Sequence, residues 1–471
     1  MIQKAFLILT FAVAANVSLQ AMESNLARPY GDKPSPPHDS RLVFWSAEND
    51  ELLFDAGVEE IVLHCRAGLR AVSLDWALSR NRFDASFLEG RAEALPGNRF
   101  IIRIPTSALV PGVYDLKVSL DSGVEKPTRG ICTFGFAVEE MTYADPRPAD
   151  FEEFWQRGLD ALSEIPLEPE LEEMTVFSGE EIDEYNLAEA ALPGDYDPDG
   201  HRFETVESAK VSFAGIGEKR IYGWLAKPEG EGPFPAMLVL PGAGFAARPR
   251  PLEHARHGFL ALDIQIHGQD VDQEEYPRLP GYYEEEIYDP IEDYYYYDVY
   301  LNVVQAINYL ASRPDVDMSK LVVVGGSQGG RLSIVAAALD GRIKAAVPAI
   351  PHSGHVAYLK WFQGANDLEV EFSGDRSGMD LQAVPPLPDT PEGRCLAYYD
   401  PLSFAPDVTC PVLMNAGMVD PISFFAGVYP VFQELGSSDK TLVVLPGLGH
   451  DWTPEFDRMA WRWLDGVLGL E

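Results

Sequence analysis

Six short, near-continuous apolar runs in the second half of the chain constrain its fold more than any other feature of the sequence. Such runs are typical of parallel strands buried on both faces, because helices cover both sides of the sheet. Helical stretches separate the runs, and one of them places Val299, Val303 and Ile307 on a single face. The alternation predicts an α/β fold with a mostly parallel, doubly wound sheet. The runs are 235–240, 259–264, 321–324, 343–347, 411–415 and 441–445.

The region from about residue 41 to 140 has a different pattern. Short apolar runs with period-two alternation are separated by turn residues, as in 60–65, 99–104 and 112–118. This pattern predicts a small all-β domain, an antiparallel sandwich of immunoglobulin-like size. The Asp-Pro-Arg-Pro sequence that begins at Asp145 marks the boundary, so we expect a second domain over residues 145–471.

The first residues of the chain have the organisation of a secretory signal peptide over 1–21. Lys4 supplies one positive charge, residues 5–17 are mostly apolar, and the small residue Ala21 precedes the expected cut. The apolar stretch is shorter than the ~20 residues that span a bilayer, so we expect export to the periplasm or the medium without membrane anchoring. Residues 22–40 are polar and proline-rich, which predicts a linker.

The charge balance narrows the range of partners. The chain has 36 basic and 74 acidic residues, a formal net charge of −38. A field of that sign repels phosphate backbones and anionic lipid, which disfavours nucleic acid and membrane surfaces as partners. No cysteine or histidine spacing indicates zinc, so we expect no metal and no cofactor. Cys65 and Cys132 could form a disulfide in an exported chain, although four cysteines allow three full pairings.

The sequence Gly-Gly-Ser-Gln-Gly-Gly at 325–330 directly follows the apolar run 321–324 and precedes an alanine-rich helical stretch. A Gly-x-Ser-x-Gly motif between a strand and a helix is the nucleophile elbow of α/β-hydrolases. Glycines flank the serine because the turn is too sharp for neighbouring Cβ atoms. The motif predicts Ser327 as a nucleophile.

A serine hydroxyl is a poor nucleophile without a base and an orienting carboxylate. In α/β-hydrolases these residues follow the serine in the order acid, then histidine. His450 is the single histidine after residue 355, and Asp420 follows the apolar run before it. We therefore predict a Ser327–His450–Asp420 triad. Asp451 is a competing acid, but a side chain adjacent to the base in sequence normally points elsewhere.

Other candidate site residues have weaker signals. The oxyanion hole is predicted to use the backbone N–H groups of Gln328 and Ala243, with Gly242 and Gly244 as alternatives for the second donor. Tyr288, Tyr295 and His355 are candidate substrate-binding residues, although tyrosines 282–283, 288 and 294–297 could equally pack against the sheet. His254 and His257 are three residues apart in a short helical stretch. This spacing predicts a solvated helix end rather than a ligand site.

These residues resemble the acetyl xylan esterase and cephalosporin C deacetylase family, carbohydrate esterase family seven. The resemblance covers about residues 145–471 and is carried by 147–155, 221–225, 289–290, 295–297 and 325–330. It implies an α/β-hydrolase fold with Ser327 as nucleophile, Asp420 as acid, His450 as base, and Gln328 and Ala243 as oxyanion donors. It also implies hydrolysis of acetyl esters on xylo-oligosaccharides or similar small acetylated carbohydrates.

The chain departs from the pattern of that family in several places. His267 stands where the family has the arginine of Arg-Gly-Gln, Pro241-Gly242-Ala243 replaces His-Gly-Tyr, and Asp451 replaces a glutamate. The second change removes an aromatic ring from the acyl pocket, which leaves the exact substrate open. The resemblance implies that short family members assemble as hexamers. This chain has an additional β-rich N-terminal region, so whether it forms a homo-oligomer is left open.

We therefore expect an exported serine esterase that acts on acetylated carbohydrate. One alternative is a serine peptidase of the prolyl-oligopeptidase type, although about 100 N-terminal residues are too few for the propeller of such enzymes. Another is a carbohydrate-binding protein with an inactive hydrolase domain, against which the complete triad argues.

Overall fold

A computed structural model of the chain describes residues 42–68, 71–80, 86–121, 123, 127–188, 200–217, 219–276, 287–352, 383–384, 387, 389–451 and 453–470. The predicted signal peptide, the predicted linker and His355 lie outside the described residues. The chain forms two compact units, and the boundary between them in the N-terminal part lies between Thr142 and Tyr143.

The N-terminal unit contains two β-sheets. One has three strands in the order β1-β3-β6, and the other has five in the order β2-β8-β7-β4-β5. Short 3₁₀ helices occupy Thr106–Ala108 and Val138–Glu140. The strands are β1 (Leu42–Trp45), β2 (Leu53–Phe54), β3 (Glu60–Ala67), β4 (Ser73–Ser79), β5 (Leu88–Glu93), β6 (Arg99–Pro105), β7 (Gly112–Asp121) and β8 (Thr128–Phe136).

The two sheets bury a shared core. Burial alternates along β3, and Leu63, Phe100 and Phe134 are fully buried. A Cβ at Gly130 of β8 would lie 2.7 Å from the Leu42 side chain of β1, so the two sheets meet there. The pairings are antiparallel as predicted, except that the two-residue strand β2 runs parallel to β8. This difference follows from the position of β2, which adds to the edge of β8 that β7 leaves open.

Cys65 and Cys132 are buried free thiols on strands of the two different sheets. Burial raises the pKa of the Cys132 thiol well above its ordinary value, and the nearby Cys65 thiol raises that pKa further. Both are free thiols in this structure, so their pairing stays a prediction.

The second unit is built on a ten-stranded sheet that the short strand β11 joins through β12; the other strands follow the order β10-β12-β13-β15-β14-β16-β17-β19-β20. The strands of this sheet are β10 (Glu170–Leu171), β11 (Thr175–Ser178), β12 (Thr205–Ala214), β13 (Arg220–Pro228), β14 (Phe234–Leu240), β15 (Leu260–Gln265), β16 (Val316–Gly326), β17 (Ala345–Ala349), β19 (Val412–Gly417) and β20 (Lys440–Leu445). Two short strands, β9 (Thr142–Tyr143) and β18 (Ala383–Val384), form a separate two-stranded sheet. All six predicted apolar runs form strands of the ten-stranded sheet.

The described helices of the second unit connect these strands. They are α1 (Phe151–Ser163), α2 (Gly179–Ala188), α3 (Leu252–Arg256), α4 (Tyr296–Ser312), α5 (Gln328–Leu339), α6 (Pro391–Tyr399), α7 (Pro401–Phe404), α8 (Phe425–Glu434) and α9 (Pro454–Leu468), with 3₁₀ turns at Ile291–Asp293 and Ala405–Asp407. Within the described ranges, no helix has the length and apolar character needed to cross a membrane.

Strands β15, β14, β16, β17 and β19 are mutually parallel, whereas β12 and β13 add an antiparallel edge. The prediction of a mixed α/β fold with a mostly parallel central sheet is therefore confirmed. Helix α9 covers one face, where Trp461 packs against a core that includes Met237 and Val322. Because parallel strands end at the same edge of a sheet, the segments after β16 and β19 emerge close together.

Asp150 directly precedes helix α1, and aspartate is a residue type that commonly caps helices. The Asp150 side chain makes no capping hydrogen bond to the helix, and its Oδ1 instead accepts a hydrogen bond from the Tyr398 hydroxyl. A tertiary contact thus competes for a carboxylate that local sequence assigns to the helix end.

Candidate active site

Ser327 lies in a strained turn between β16 and α5, with φ 57° and ψ −116°. Few residues other than glycine adopt a positive φ, and such strain is common at functional sites. A Cβ at Gly325 would lie 2.7 Å from the Leu240 carbonyl oxygen, and one at Gly329 would lie 2.2 Å from the same atom. The two glycines therefore let the turn press against the end of β14, which explains their spacing around the serine.

Backbone hydrogen bonds hold this strained residue on both sides. The Ser327 N–H donates to the Ala349 carbonyl at 2.9 Å. The Ser327 carbonyl accepts from the N–H of Arg331 at 3.1 Å and from that of His352 at 2.9 Å. Strand β17 and the residues after it thus fix the direction of the serine side chain.

The structure brings Ser327, His450 and Asp420 together. His450 Nε2 lies 2.9 Å from Ser327 Oγ, and His450 Nδ1 lies 2.9 Å from Asp420 Oδ2. An imidazole between a hydroxyl and a carboxylate can accept the hydroxyl proton while the carboxylate orients the ring. The three residues follow β16, β19 and β20, at strand ends as the sequence predicts.

Asp420 is almost fully buried, with 1% of its surface exposed. Its second oxygen, Oδ1, accepts hydrogen bonds from the N–H groups of Ile422 at 2.7 Å and Ser423 at 2.8 Å. These donors satisfy the oxygen that His450 does not use, and they fix the plane of the carboxylate. A buried carboxylate with both oxygens partnered is suited to hold a histidine in one tautomer.

Gln328, a predicted oxyanion donor, links the nucleophile turn to the loop after β14. Its Oε1 accepts from the Tyr296 hydroxyl at 2.8 Å, and its Nε2 donates to the Gly242 carbonyl at 3.4 Å. Ala243, the second predicted donor, lies in the same exposed loop. The turn and the loop are thus held side by side, as two backbone donors to one oxyanion would require.

His267 anchors the same loop, a role that the sequence did not reveal. Its Nε2 lies 2.9 Å from the Gly244 carbonyl, its Nδ1 is hydrogen-bonded to the Tyr295 hydroxyl, and the Phe245 ring stacks on it at 4.4 Å. A carbonyl only accepts, so Nε2 carries the proton and Nδ1 accepts from the tyrosine. Burial lowers the pKa of His267 to about 4, with a further lowering by Arg248, so the neutral form persists.

The predicted substrate-binding residues have different environments. Tyr295 supports the loop through His267. Tyr288 is half-buried, stacks on Tyr294 at 5.7 Å, and donates to Glu392 Oε1 at 3.3 Å. Both described tyrosines have packing roles, and their contact with substrate remains a prediction. His355 lies outside the described residues.

The aromatic run around α4 packs around a buried cation that sequence reasoning missed. Arg331 is 4% exposed, and its Nε donates to the Tyr300 hydroxyl at 2.6 Å while Nη2 donates to the Tyr399 carbonyl at 2.9 Å. Its guanidinium also lies 4.5 Å from the Tyr296 ring centroid. Because Arg331 is on α5, this cluster fixes the helix that begins beside the nucleophile.

His352 is a second histidine near the predicted base. Desolvation lowers the pKa of His352 to about 3, and the positive charge of Arg331 and the proximity of His450 lower it further. His352 is therefore neutral at ordinary pH and adds no charge beside His450.

The prediction of a solvated helix end at His254 and His257 is wrong. The two residues are only 6% and 4% exposed, and His257 stacks on Trp461 of α9 at 3.9 Å between ring centroids. Docking of α9 covers this end of α3, a tertiary contact that the local sequence does not encode.

The chain matches one family model over residues 180–466, the model described as acetyl xylan esterase (AXE1). Among curated relatives, the acetyl esterase Axe7A of Xylanibacter ruminicola is 28% identical over 370 residues, which are 74% of this chain and 74% of that protein.

Two solved structures show the same fold. The acetyl xylan esterase from Paenibacillus sp. R4 is 23% identical with a TM-score of 0.52, and it aligns over 70% of this chain and 98% of that one. Acetyl xylan esterase 1 from Thermoanaerobacterium sp. JW/SL YS485 is also 23% identical, with a TM-score of 0.54 over 70% of this chain and 97% of that one. At this identity the likeness is one of fold.

Proposed function

The chain belongs to the acetyl xylan esterase family, and we propose that it removes acetyl groups from acetylated xylo-oligosaccharides or related small acetylated carbohydrates. Family membership makes it a carboxylic ester hydrolase. The observation that carries the mechanism is the pair of 2.9 Å contacts that joins Ser327 to His450 and His450 to Asp420.

In the first half of the proposed reaction, Ser327 Oγ attacks the acetyl carbonyl carbon while His450 Nε2 takes the hydroxyl proton. Asp420 stabilises the imidazolium that forms. The backbone N–H groups of Gln328 and Ala243 hold the oxyanion of the tetrahedral intermediate. The intermediate collapses as the sugar oxygen leaves with the proton from His450, and acetyl-Ser327 remains.

In the second half, water replaces the sugar. His450 takes a proton from the water, whose oxygen attacks the acetyl carbonyl, and a second tetrahedral intermediate occupies the same oxyanion site. Ser327 Oγ then leaves with the proton from His450, and acetic acid is released and ionises. The carbohydrate product and acetic acid together account for the ester and one water.

Replacing Ser327 by alanine tests the mechanism directly. We expect kcat for acetate release from acetylated xylo-oligosaccharides to fall by about 10⁴-fold, with little change in the unfolding temperature. Ser319→Ala is the matched control, because Ser319 is exposed and its hydroxyl bonds only locally to Asp317. Near-normal turnover of p-nitrophenyl acetate by the Ser327→Ala variant would refute the assignment.

Two further assays distinguish the proposed esterase from the two alternative functions. Cleavage of a dipeptide nitroanilide without cleavage of aryl acetates would favour a prolyl-oligopeptidase-type peptidase. Failure of a fluorophosphonate probe to label the protein at Ser327 would favour a carbohydrate-binding protein with an inactive hydrolase domain. We expect labelling in the wild type and none in the Ser327→Ala variant.

We also propose that residues 41–140 form an immunoglobulin-like sandwich, separate from an esterase domain over 145–471. Two features support this proposal: sheets of three and five strands, and a tyrosine near the start of β7. The Tyr114 hydroxyl accepts from the Val110 N–H at 2.9 Å and donates to the Val110 carbonyl at 2.6 Å. A tyrosine whose hydroxyl hydrogen-bonds to the backbone a few residues upstream forms the tyrosine corner, a motif common in immunoglobulin folds.

Export is a further part of the proposal. A single lysine followed by the apolar stretch 5–17 supports cleavage after Ala21 and release to the periplasm or medium. Mass spectrometry of the protein recovered outside the cytoplasm should give a mature chain that begins at Met22. Recovery of the uncleaved chain in the cytoplasm would contradict it.

A further inference from the structure

The short helix α3 concentrates buried polar atoms that lack hydrogen-bond partners. Four polar residues of this helix and its C-cap are each between 4% and 6% exposed: Glu253, His254, Arg256 and His257. Among the described residues, His254 Nδ1, Arg256 Nε and His257 Nε2 have no partner. Orphaned buried polar atoms are rare, and a water or ion at the site is one explanation of them.

Two of these residues converge with a third from another segment. His201 Nε2 lies 2.6 Å from Glu253 Oε2. One potential ligand atom from each of His201, Glu253 and His257 lies within 4.8 Å of the other two. Tetrahedral zinc holds nitrogen and oxygen ligands at about 2.0–2.2 Å, so its ligand atoms are roughly 3.3 Å apart. Small side-chain adjustments would bring the three atoms around one ion.

The ligand set suits a borderline transition metal. Two imidazoles and one carboxylate form a common zinc site with a fourth position for water. Both His201 and Glu253 have side chains less than 10% exposed, at 8% and 6%. A buried His-Glu-His group thus offers two imidazole nitrogens and one carboxylate oxygen to the same point.

Outer contacts hold the ligands in place. Glu253 Oε1, the oxygen that faces away from His201, accepts from Asn186 Nδ2 at 2.7 Å and lies 3.5 Å from Arg256 Nη1. Asp183 also pairs with the Arg256 guanidinium at 2.9 Å, which offsets that positive charge. Partners of this kind orient the first ligands of metal sites and tune their affinity.

We propose that His201, Glu253 and His257 bind a divalent transition-metal ion, with Zn²⁺ as the representative. A bound ion would join the segment before β12 to α3, and the stack of His257 on Trp461 extends the link to α9. It uses none of the residues assigned to the esterase reaction, so it stands whether or not the proposed substrate is right.

The full chain, stripped of metal with a chelator, is titrated with Zn²⁺ by calorimetry. We expect one equivalent to bind with micromolar or tighter affinity, and Co²⁺ in its place to give the visible absorption of a tetrahedral site. His257→Phe keeps a ring against Trp461 but removes the ligand, and Glu253→Gln keeps the side-chain volume but removes the charge. Both should weaken binding by about 100-fold or more.

His64→Phe is the matched control, because His64 also stacks on a tryptophan, Trp45, at 5.4 Å between ring centroids. It should bind Zn²⁺ as the wild type does. If His257→Phe does not fold, Glu253→Gln decides alone. Absence of a stoichiometric site in the wild type, or binding unchanged in Glu253→Gln, would overturn the proposal and leave bound water as the partner of the orphaned atoms.

Discussion

Two histidine–carboxylate pairs in the second unit show how one chemical pairing can serve different ends. His450 lies between Asp420 and the Ser327 hydroxyl, with 2.9 Å on each side. In the other pair a carboxylate, Glu253, lies near two imidazoles, those of His201 and His257. The third member distinguishes the two proposed roles: with a serine hydroxyl the histidine can act as a general base, and with a second imidazole the group can act as a set of metal ligands.

Neutralising each carboxylate in turn should separate the two pairs most strongly. Asp420→Asn should lower kcat for acetyl-ester hydrolysis by about 10³–10⁴-fold, because His450 loses the partner that holds its tautomer. Glu253→Gln should keep kcat within about threefold when assayed well below its unfolding temperature. Steady-state kinetics of both variants make the measurement. Comparable losses of kcat in the two variants would break the distinction.

Zn²⁺ should distinguish the same two variants by their stability, with the effect now lost in Glu253→Gln and kept in Asp420→Asn. Zn²⁺ at about 100 times its dissociation constant should stabilise the chelator-treated wild type by about 3 kcal/mol. The unfolding temperature should then rise by several degrees, as scanning calorimetry would measure. Asp420→Asn should retain the rise, and Glu253→Gln should lose it. A rise of equal size in both variants would show that the ion binds elsewhere.

His267 provides a third test, since it is a buried histidine whose ring nitrogens contact the Tyr295 hydroxyl and the Gly244 carbonyl. Burial lowers its pKa to about 4, so between about pH 6.5 and 4 the unfolded chain takes up a proton that the folded chain does not. Stability contributed by the neutral ring is complete above pH 6.5 and is lost as the pH falls through this window. His267→Gln should flatten the pH dependence of unfolding free energy by up to about 1.4 kcal/mol per pH unit, measured by denaturant titration. An unchanged slope would contradict the burial of a neutral ring.

The smallest expected effect concerns the hydroxyl that supports His267. Tyr295→Phe removes one hydrogen bond of about 1 kcal/mol and should lower kcat/KM by roughly fivefold through a looser Gly244 loop. Tyr143→Phe is the control, because it removes an exposed hydroxyl bonded to Glu434 at 2.7 Å. Equal losses in the two variants would argue against a positioning role for Tyr295.

The sequence alone predicts those features of this unit that depend on the order of residues along the chain. Buried parallel strands have a continuous apolar signal, and residues after their carboxyl ends meet at one edge of the sheet. The sequence alone therefore groups Ser327, Asp420 and His450 at that edge. Backbone donors such as those of Gln328 and Ala243 have almost no side-chain signal. Their assignment as oxyanion donors remains a prediction.

What the sequence did not reveal depends on tertiary packing. His201 and Glu253 are 52 residues apart and share no motif spacing. His257 is buried only because Trp461 of the last helix covers it. Likewise, Asp150 is drawn from its helix by Tyr398. In each case a partner distant in sequence decides the environment, and no local pattern contains that information.

The nucleophile turn and the adjacent loop after β14 differ in how easily they can accommodate a larger side chain. Any side chain at Gly329 would collide with the end of β14, where the Leu240 oxygen is 2.2 Å from a Cβ position. Among the described residues, the nearest atom to a Cβ at Gly242 would be the Gly326 oxygen at 3.8 Å, and Ala243 is exposed. Descendants of this chain that acquire new acyl preferences should therefore diverge first at 242–243, while the glycines beside Ser327 stay fixed.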